Sequence, residues 1–316
     1  MDLKAFQSKY EHKPVVENKN RVSKNPMLSV CVQTYQHIDF IEACLEGILQ
    51  QKTNFEFEIL LGEDASSDGT REICKKYAKQ YPDKIRLFLH HRENNIKIGG
   101  SPTGRFNFLY NLFSARGKYI ALCEGDDYWT DPLKLQKQVD FLETHEDYLL
   151  CFHPCEILTP ISLKKQQLSK IDYNYNIQEL LEKWGIPTAS MVFRNNFVFP
   201  EWFCNVASGD IALAMLLFEK GKFKLLREYM SVYRVEGQGV SVLHKGYRMI
   251  HYRAKLYSNL NEYFDYKYEK DIYDALAFIY DKFSKAQQPK KTLTLEEVSI
   301  KTHLQVVLKK LKQKLL

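Results

Sequence analysis

A chain of 316 residues that is 45% hydrophobic and 27% charged has the composition of a globular protein, which excludes wholesale disorder and leaves room for one large domain or a domain with an extension. Its formal charge of +6 is made of intermixed acidic and basic residues, so the balance demands no nucleic-acid partner yet permits an anionic substrate. Cysteine is present seven times, an odd number, and Cys31, Cys44, Cys74, Cys123 and Cys151 fall in apolar runs, as expected of reduced thiols in a cytoplasmic protein.

Residues 1–26 are polar, with lysines at 4, 9, 13, 19 and 24, and read as an arm or short helix ahead of a core whose order begins at Leu28. The N-terminus has no apolar segment of the kind a signal peptide carries. "LSVCVQTY" (28–35) then reads as a buried strand, and Ile41, Leu45, Ile48 and Leu49 form the apolar stripe of a helix over 38–51. A second strand, "FEFEILLGED" (55–64), leads through the turn "ASSDGT" into a helix marked by Ile73 and Tyr77 and ending near Pro82. After the strand "IRLFLHH" and the loop "NNIKIGGSPTG", Phe106, Leu109 and Phe113 mark a helix closed by Gly117, and "KYIALC" (118–123) is a fourth strand.

Strands alternating with helices at short spacing predict βαβ units and a mainly parallel sheet. Ligands of such sheets bind beyond the carboxyl ends of the strands, where the polar segments 33–37, 63–68 and 124–127 fall. Asp131-Pro132 supplies a cap for a helix carrying Leu135, Val139 and Leu142. Farther on, "TASMVFR" (188–194) reads as a strand, residues 209–221 as a buried helix with Asp210 at its start, and "FKLLREYMSVYRV" (223–235) as a strand pair. The longest apolar run, residues 211–218, is too short to span a bilayer. From about residue 246 the chain is Tyr-rich and helical, and it closes on "LKKLKQKLL" (308–316).

The segment "CEGDDYW" (123–129) crowds Glu124, Asp126 and Asp127 at the end of an apolar strand, where they repel one another unless a cation lies between them. Carboxylate oxygens suit Mg²⁺ or Mn²⁺, which complete their shells with substrate phosphates, so the cluster points to a phosphorylated ligand. Cys151-Phe152-His153-Pro154-Cys155 lacks the paired spacing of a zinc site and reads as packing.

"LSVCVQTYQH", "FEILLGEDASSDGT", "KYIALCEGDDYWTDPLKL" and "SGDIALAMLLFEKG....LLREYMSVYRV" follow the order and spacing of family 2 glycosyltransferases, which the chain resembles over residues 27–245. That resemblance implies an α/β fold of the GT-A, Rossmann-like type, with a mainly parallel sheet flanked by helices and a helical C-terminal extension. It divides the chain into an arm (1–26), a transferase domain (27–245, with a nucleotide-binding half to 130 and an acceptor-binding half from 131) and the extension (246–316). It also implies transfer of a sugar, with inversion, from a nucleotide-diphosphate donor, a UDP-sugar by analogy, to a hydroxyl of a surface or lipid-linked glycan, aided by Mn²⁺ or Mg²⁺. Carried over position by position, Thr34 and Tyr35 touch the nucleoside, Asp64 the base with Glu63 beside it, Arg105 the donor phosphates, and Glu124 and Asp126 the ribose and metal. Asp210 becomes the catalytic base. Where many members have a histidine after "VYR" this chain has Glu236, a third candidate metal ligand, with His244 a little beyond.

From the residues alone, Asp210 reads as a helix cap and only the resemblance makes it a base, Asp64 and Asp68 read as turn formers, and Arg105 reads equally as a surface arginine. Trp129, His153 and Trp184 suit either an acceptor subsite or a core. Residues 308–316 fit peripheral contact with the inner face of a membrane or a solvated helix end. Two rival functions share these features: a sugar-nucleotide-binding protein that has lost transfer, made thinkable by Glu124 and Glu236, and a nucleotidyltransferase, against which "VCVQTYQH" lacks a Gly-rich basic loop.

Overall fold

A computed structural model describes residues 1–167, 177–182, 185–196, 198–235, 247–286 and 305. The chain forms two compact units, the first made of Met1–Tyr175, Gly185–Asn205 and Gly209–Glu236, the second of Asn176–Trp184, Val206–Ser208 and Gly237–Leu316.

In chain order the first unit begins α1 (Leu3–Tyr10), β1 (Val16–Glu17), β2 (Leu28–Thr34), α2 (Ile41–Leu49), β3 (Phe57–Glu63), α3 (Thr70–Gln80) and β4 (Ile85–Leu89). A hairpin of β5 (Lys97–Ile98) and β6 (Ser101–Pro102) precedes α4 (Arg105–Ser114), β7 (Tyr119–Leu122), β8 (Tyr128–Trp129), α5 (Lys134–Thr144) and β9 (Tyr148–Phe152). There follow β10 (Glu156–Thr159), β11 (Ser162–Lys165), α6 (Ile177–Glu182, in the second unit), β12 (Val192–Arg194), α7 (Gly209–Phe218), β13 (Lys222–Leu225) and β14 (Ser231–Arg234).

An eight-stranded sheet runs in the order β1-β4-β3-β2-β7-β12-β9-β13. Its central strands are parallel, while β1 at the edge and β12 run antiparallel to their neighbours. Helices cover the parallel strands, so β2 and β3 are almost continuously apolar rather than alternating. The β2–β3 register pairs Leu28 with Phe57 and Thr34 with Glu63, so both strands end at one level. There the loop after β7 joins them, because the Cys123 and Gly125 amides donate to the Cys31 and Gln33 carbonyls at 3.1 and 3.0 Å. Two asparagines of α4 fix its distance from the sheet: Asn107 and Asn111 donate to the carbonyls of Gly62 (2.8 Å) and Val32 (2.9 Å). A smaller sheet, β11-β10-β14-β8, hangs beside this edge.

Order starts well before Leu28. Phe6 of α1 is fully buried and packs on Phe106 and Phe113, with ring centroids 5.2 and 5.1 Å apart, and β1 adds a strand against β4. The polar lysines of this segment hid one apolar anchor, which suffices to dock a short helix. Residues 94–104, read as a loop, contain the β5–β6 hairpin, whose tip needs the positive φ of Gly99 (59°) and Gly100 (81°). The cap expected at Asp131 acts two residues early: its Oδ1 accepts from the Leu133 amide at 2.8 Å, and α5 begins at Lys134. Residues 188–190 form a 3-10 turn, leaving only 192–194 as strand. The expected strand pair at 223–235 is two strands in different sheets, β13 on β9 and β14 between β10 and β8, since alternation marks a strand without naming its partner.

All seven cysteines are buried free thiols. His90, 2% exposed, lies edge-on to Phe106 and Tyr110, and both ring nitrogens lack hydrogen-bond partners among the described residues. Burial, helped by the Arg71 charge, lowers it from 6.5 to about 3. Between those values the unfolded chain takes up a proton that the folded chain refuses, so stability falls as pH drops from 6.5 toward 3, by about 1.4 kcal/mol per pH unit at most. His90→Phe should flatten that slope in thermal melts; an unchanged acid slope would show that His90 does not set it.

Within the second unit, the helices Tyr247–Tyr263 and Glu269–Ala286 bury Leu256, Leu260, Ile272 and Ala275, and the Tyr257 hydroxyl donates to the Leu181 carbonyl of α6. Among the described residues no helix is long and apolar enough to cross a membrane. Residues 308–316 lie outside the described residues.

Candidate active site

At the carboxyl end of β7 the backbone turns so that carboxylate oxygens of Glu124, Asp126 and Asp127 come within 4.8 Å of one another. Gly125 makes the turn possible, since a Cβ there would lie 2.8 Å from Thr34 Oγ1 and 2.9 Å from His37 Nδ1. Burial, then the neighbouring Asp126 and Asp210, pushes Glu124 from 4.5 up to about 8. Asp127, fully buried, is raised by burial and by the neighbouring Asp126 and Glu124. Its Oδ1 accepts from the Arg234 amide at 2.9 Å, whereas its Oδ2 has no hydrogen-bond partner among the described residues. Arg234 also donates from Nη1 to the Asp126 carbonyl at 2.7 Å and lies over the Tyr128 ring at 4.5 Å, so β14 clamps the acidic turn.

Three clustered carboxyl groups, two of them raised by burial and by their neighbours and one with a buried oxygen that lacks a partner among the described residues, are the donor set a hard divalent cation prefers. Glu124 and Asp126 therefore fit a metal, and Asp127 orients the turn through Arg234. Glu236 and His244 lie outside the described residues, as does Trp184. His37 belongs to this corner although its sequence gave only a polar loop position. Its Nδ1 is buried without a partner among the described residues, and burial lowers its proton affinity while Asp126 and Asp68 raise it.

A second polar corner forms where β2, β3 and β4 end. The Asp64 amide donates to the Thr34 carbonyl (3.1 Å), and Asp64 Oδ2 accepts from Arg92 Nη1 (2.6 Å). The Arg92 guanidinium lies 3.9 Å over the Tyr35 ring, which stays 39% exposed. Asn95, its amide oriented by these neighbours, donates to Asp64 Oδ2 (3.1 Å) and accepts from Arg92 Nη1 (2.9 Å). Burial raises Asp64 from 3.8 to about 6 against the pull of Arg92. An exposed ring beside a buried carboxylate, a guanidinium and an amide offers a stacking face and both hydrogen-bond polarities, which is what a planar nucleobase requires. Arg92 and Asn95 were absent from the sequence candidates, though "HHRENN" (90–95) follows the strand "IRLFL" as the other polar segments follow theirs.

The turns that hold this corner are tied to each other. Gln36 and Ala65 adopt positive φ (56° and 57°), and the Gln36 side-chain oxygen accepts from the Ser67 and Asp68 amides. Asp68 is a turn former, accepting from Ile38 and Thr70 amides at 3.0 Å. Glu63 also works from behind: its buried carboxylate pairs with Arg71 and accepts from the Ser66 amide at 2.6 Å, so it supports the loop instead of facing a donor.

Asp210 sits in the first turn of α7, half-buried, and is close enough to influence the Glu124 carboxyl. Arg105 differs from the expectation of a phosphate-facing side chain. It is 7% exposed, stacked between Phe108 and Phe203 (5.6 and 5.4 Å to the ring centroids), with its guanidinium against Gly209. Trp129 and His153 are core residues: Trp129 is 1% exposed, donates to the Ala189 carbonyl at 2.9 Å and carries Lys134 over its ring, while His153 Nδ1 lies 3.0 Å from the Pro154 carbonyl.

The sequence matches the model of glycosyl transferase family 2 over residues 29–203. It is 35% identical over 215 residues to an uncharacterized protein of Mycobacterium tuberculosis, a stretch that covers 67% of this chain and 60% of that protein. Among solved structures, TarS of S. aureus in complex with UDP-GlcNAc superposes with a TM-score of 0.60 at 18% identity, covering 86% of this chain and 78% of that one. The mannosyltransferase PcManGT of Pyrobaculum calidifontis, in complex with GDP-Man and Mn²⁺, gives 0.52 at 14% identity, covering 96% and 87%. Both likenesses show a GT-A fold.

Proposed function

The chain belongs to glycosyl transferase family 2, and from that premise we propose that it transfers a sugar, with inversion, from a UDP-sugar to a hydroxyl of a surface or lipid-linked glycan. The observation that carries this reading is the alignment of two corners along one sheet edge, a base-sized corner at Tyr35, Asp64, Arg92 and Asn95 and an acidic one at Glu124 and Asp126.

In this reading uracil stacks on Tyr35, its imide N–H donates to Asp64 and a ring carbonyl accepts from Arg92. Thr34 lies beside the ribose. Glu124 and Asp126 would hold Mn²⁺ or Mg²⁺, which when bound neutralises charge building on the departing diphosphate. Asp210 accepts the proton of the acceptor hydroxyl as that oxygen bonds to the anomeric carbon, while the electron pair of the old glycosidic bond leaves with the diphosphate. Hexosyl and N-acetylhexosaminyl donors both suit this scheme, and the relative of solved structure that holds GDP-Man makes the base a point to test.

The test is a panel of UDP-, GDP- and dTDP-sugars scored for nucleotide release with and without Mn²⁺. UDP release from one UDP-sugar, dependent on the cation, is the expected result. Preference for a GDP- or dTDP-sugar would overturn the donor assignment, and binding of donors without release would favour a sugar-nucleotide-binding protein.

A further inference from the structure

The geometry points to Arg105 as a positioning residue for Asp210, acting from beneath the N-terminus of α7 instead of on the donor phosphates. This deepens the reading in which Asp210 is the base and rests on it.

Three observations converge on Arg105. First, it is buried at 7% exposure, too deep to meet a diphosphate lying over the sheet edge without leaving its packing. Second, the planar guanidinium is stacked between Phe108 of its own helix and Phe203, with centroids at 5.6 and 5.4 Å, which fixes its plane in a way a flexible ammonium would not reproduce. Third, it fills the space a side chain at Gly209 would need: a Cβ there would lie 1.8 Å from Nη1 and 2.7 Å from Cζ. Glycine at the first position of α7 thus lets a cation press against the turn that carries Asp210.

Burial lowers the Arg105 guanidinium to about 10, and Asp210 is the leading influence that holds it up. A buried cation tolerates its position only when anionic or dipolar groups face it, and the charge of Asp210, one residue along from the Gly209 contact, reaches it. The consequence is that the turn carrying the carboxylate rests against a charge whose own position is set by two rings. Misplacement of a base by about 1 Å can cost on the order of 100-fold in rate.

Arg105→Gln keeps a polar, planar end and removes the charge, whereas Gly209→Ala keeps the charge but displaces the guanidinium. Should Arg105→Gln fold poorly by circular dichroism, Gly209→Ala tests the same contact. Either variant should lower kcat by about 10- to 100-fold, while the UDP·Mn²⁺ dissociation constant and the donor KM stay within about twofold. The Arg105→Gln/Asp210→Asn double variant should be no slower than Asp210→Asn alone, because both changes disable one group. A donor KM raised tenfold with kcat retained would overturn the proposal in favour of phosphate binding, and so would effects that multiply in the double variant. If Asp210→Asn alone retains turnover, the base assignment is what fails; if it is inactive and both Arg105→Gln and Gly209→Ala turn over normally, the positioning role is what fails.

Discussion

Without a divalent cation, the protein should lose thermal stability as pH rises from about 6.5 to 8, above the window in which His90 acts, and Glu124→Gln should remove most of that loss. The Glu124 carboxyl is raised from 4.5 to about 8 by burial and by Asp126 and Asp210. Between those values the folded chain keeps a proton that the unfolded chain has already released, so folding is penalised progressively as pH climbs through the window. Asp127, raised by burial and by Asp126 and Glu124, adds to the slope. A cation at Glu124 and Asp126 removes the repulsion, so Mn²⁺ with UDP should stabilise the wild type most at the alkaline end. Asp126→Ala should abolish that gain along with turnover, and Glu124→Gln should give an apo protein more stable than wild type at pH 8 that gains less from the metal. Melting curves from pH 5 to 9, with and without Mn²⁺ and UDP, read all of this. A metal gain that is undiminished in Asp126→Ala would place the cation elsewhere.

The same cluster shows which parts of the molecule the sequence exposes. Glu124, Asp126 and Asp127 are adjacent in the chain, and their mutual repulsion is a local property, so the need for a cation could be inferred before any fold was known. The parallel half of the sheet was equally open, since strands buried on both faces are long apolar runs with polar segments at their ends. What adjacency cannot supply is the partner across space. Arg92 and Asn95 reach Asp64 from another strand end, Arg234 reaches Asp126 and Asp127 from a residue more than a hundred positions away, and His37 gains its place only because Gly125 leaves room for it.

Two residues changed role for the opposite reason. Glu63 and Arg105 occupy positions where a family motif suggests ligand contact, yet each is enclosed by protein groups, Glu63 by Arg71 and the Ser66 amide, Arg105 by Phe108, Phe203 and Gly209. Charge type is visible in a sequence; the direction a charged group faces is decided by tertiary packing. The N-terminal segment carries the short helix that was one of its two readings, but its docking on the core depends on one buried phenylalanine masked by several lysines.

Replacing Asp210 with Asn should remove turnover while leaving donor binding intact, with kcat lowered by about 10²- to 10⁴-fold, the usual contribution of a positioned general base. The substitution keeps size and hydrogen-bonding capacity at the start of α7, so the helix should form normally; the side chain sits in the first turn, not in a core. What it removes is the capacity to take a proton from the acceptor hydroxyl. It also removes a negative charge that raises Glu124. Glu124 should therefore ionise at lower pH in Asp210→Asn, and Mn²⁺ with UDP should bind at least as tightly as in the wild type. That pairing of lost turnover with preserved or improved metal-dependent donor binding separates a base from a metal ligand, whose loss would weaken both. Isothermal titration with UDP and Mn²⁺ beside a nucleotide-release assay decides it: retained turnover dismisses Asp210 as the base, and binding weakened tenfold or more would place its carboxylate among the groups that hold the cation.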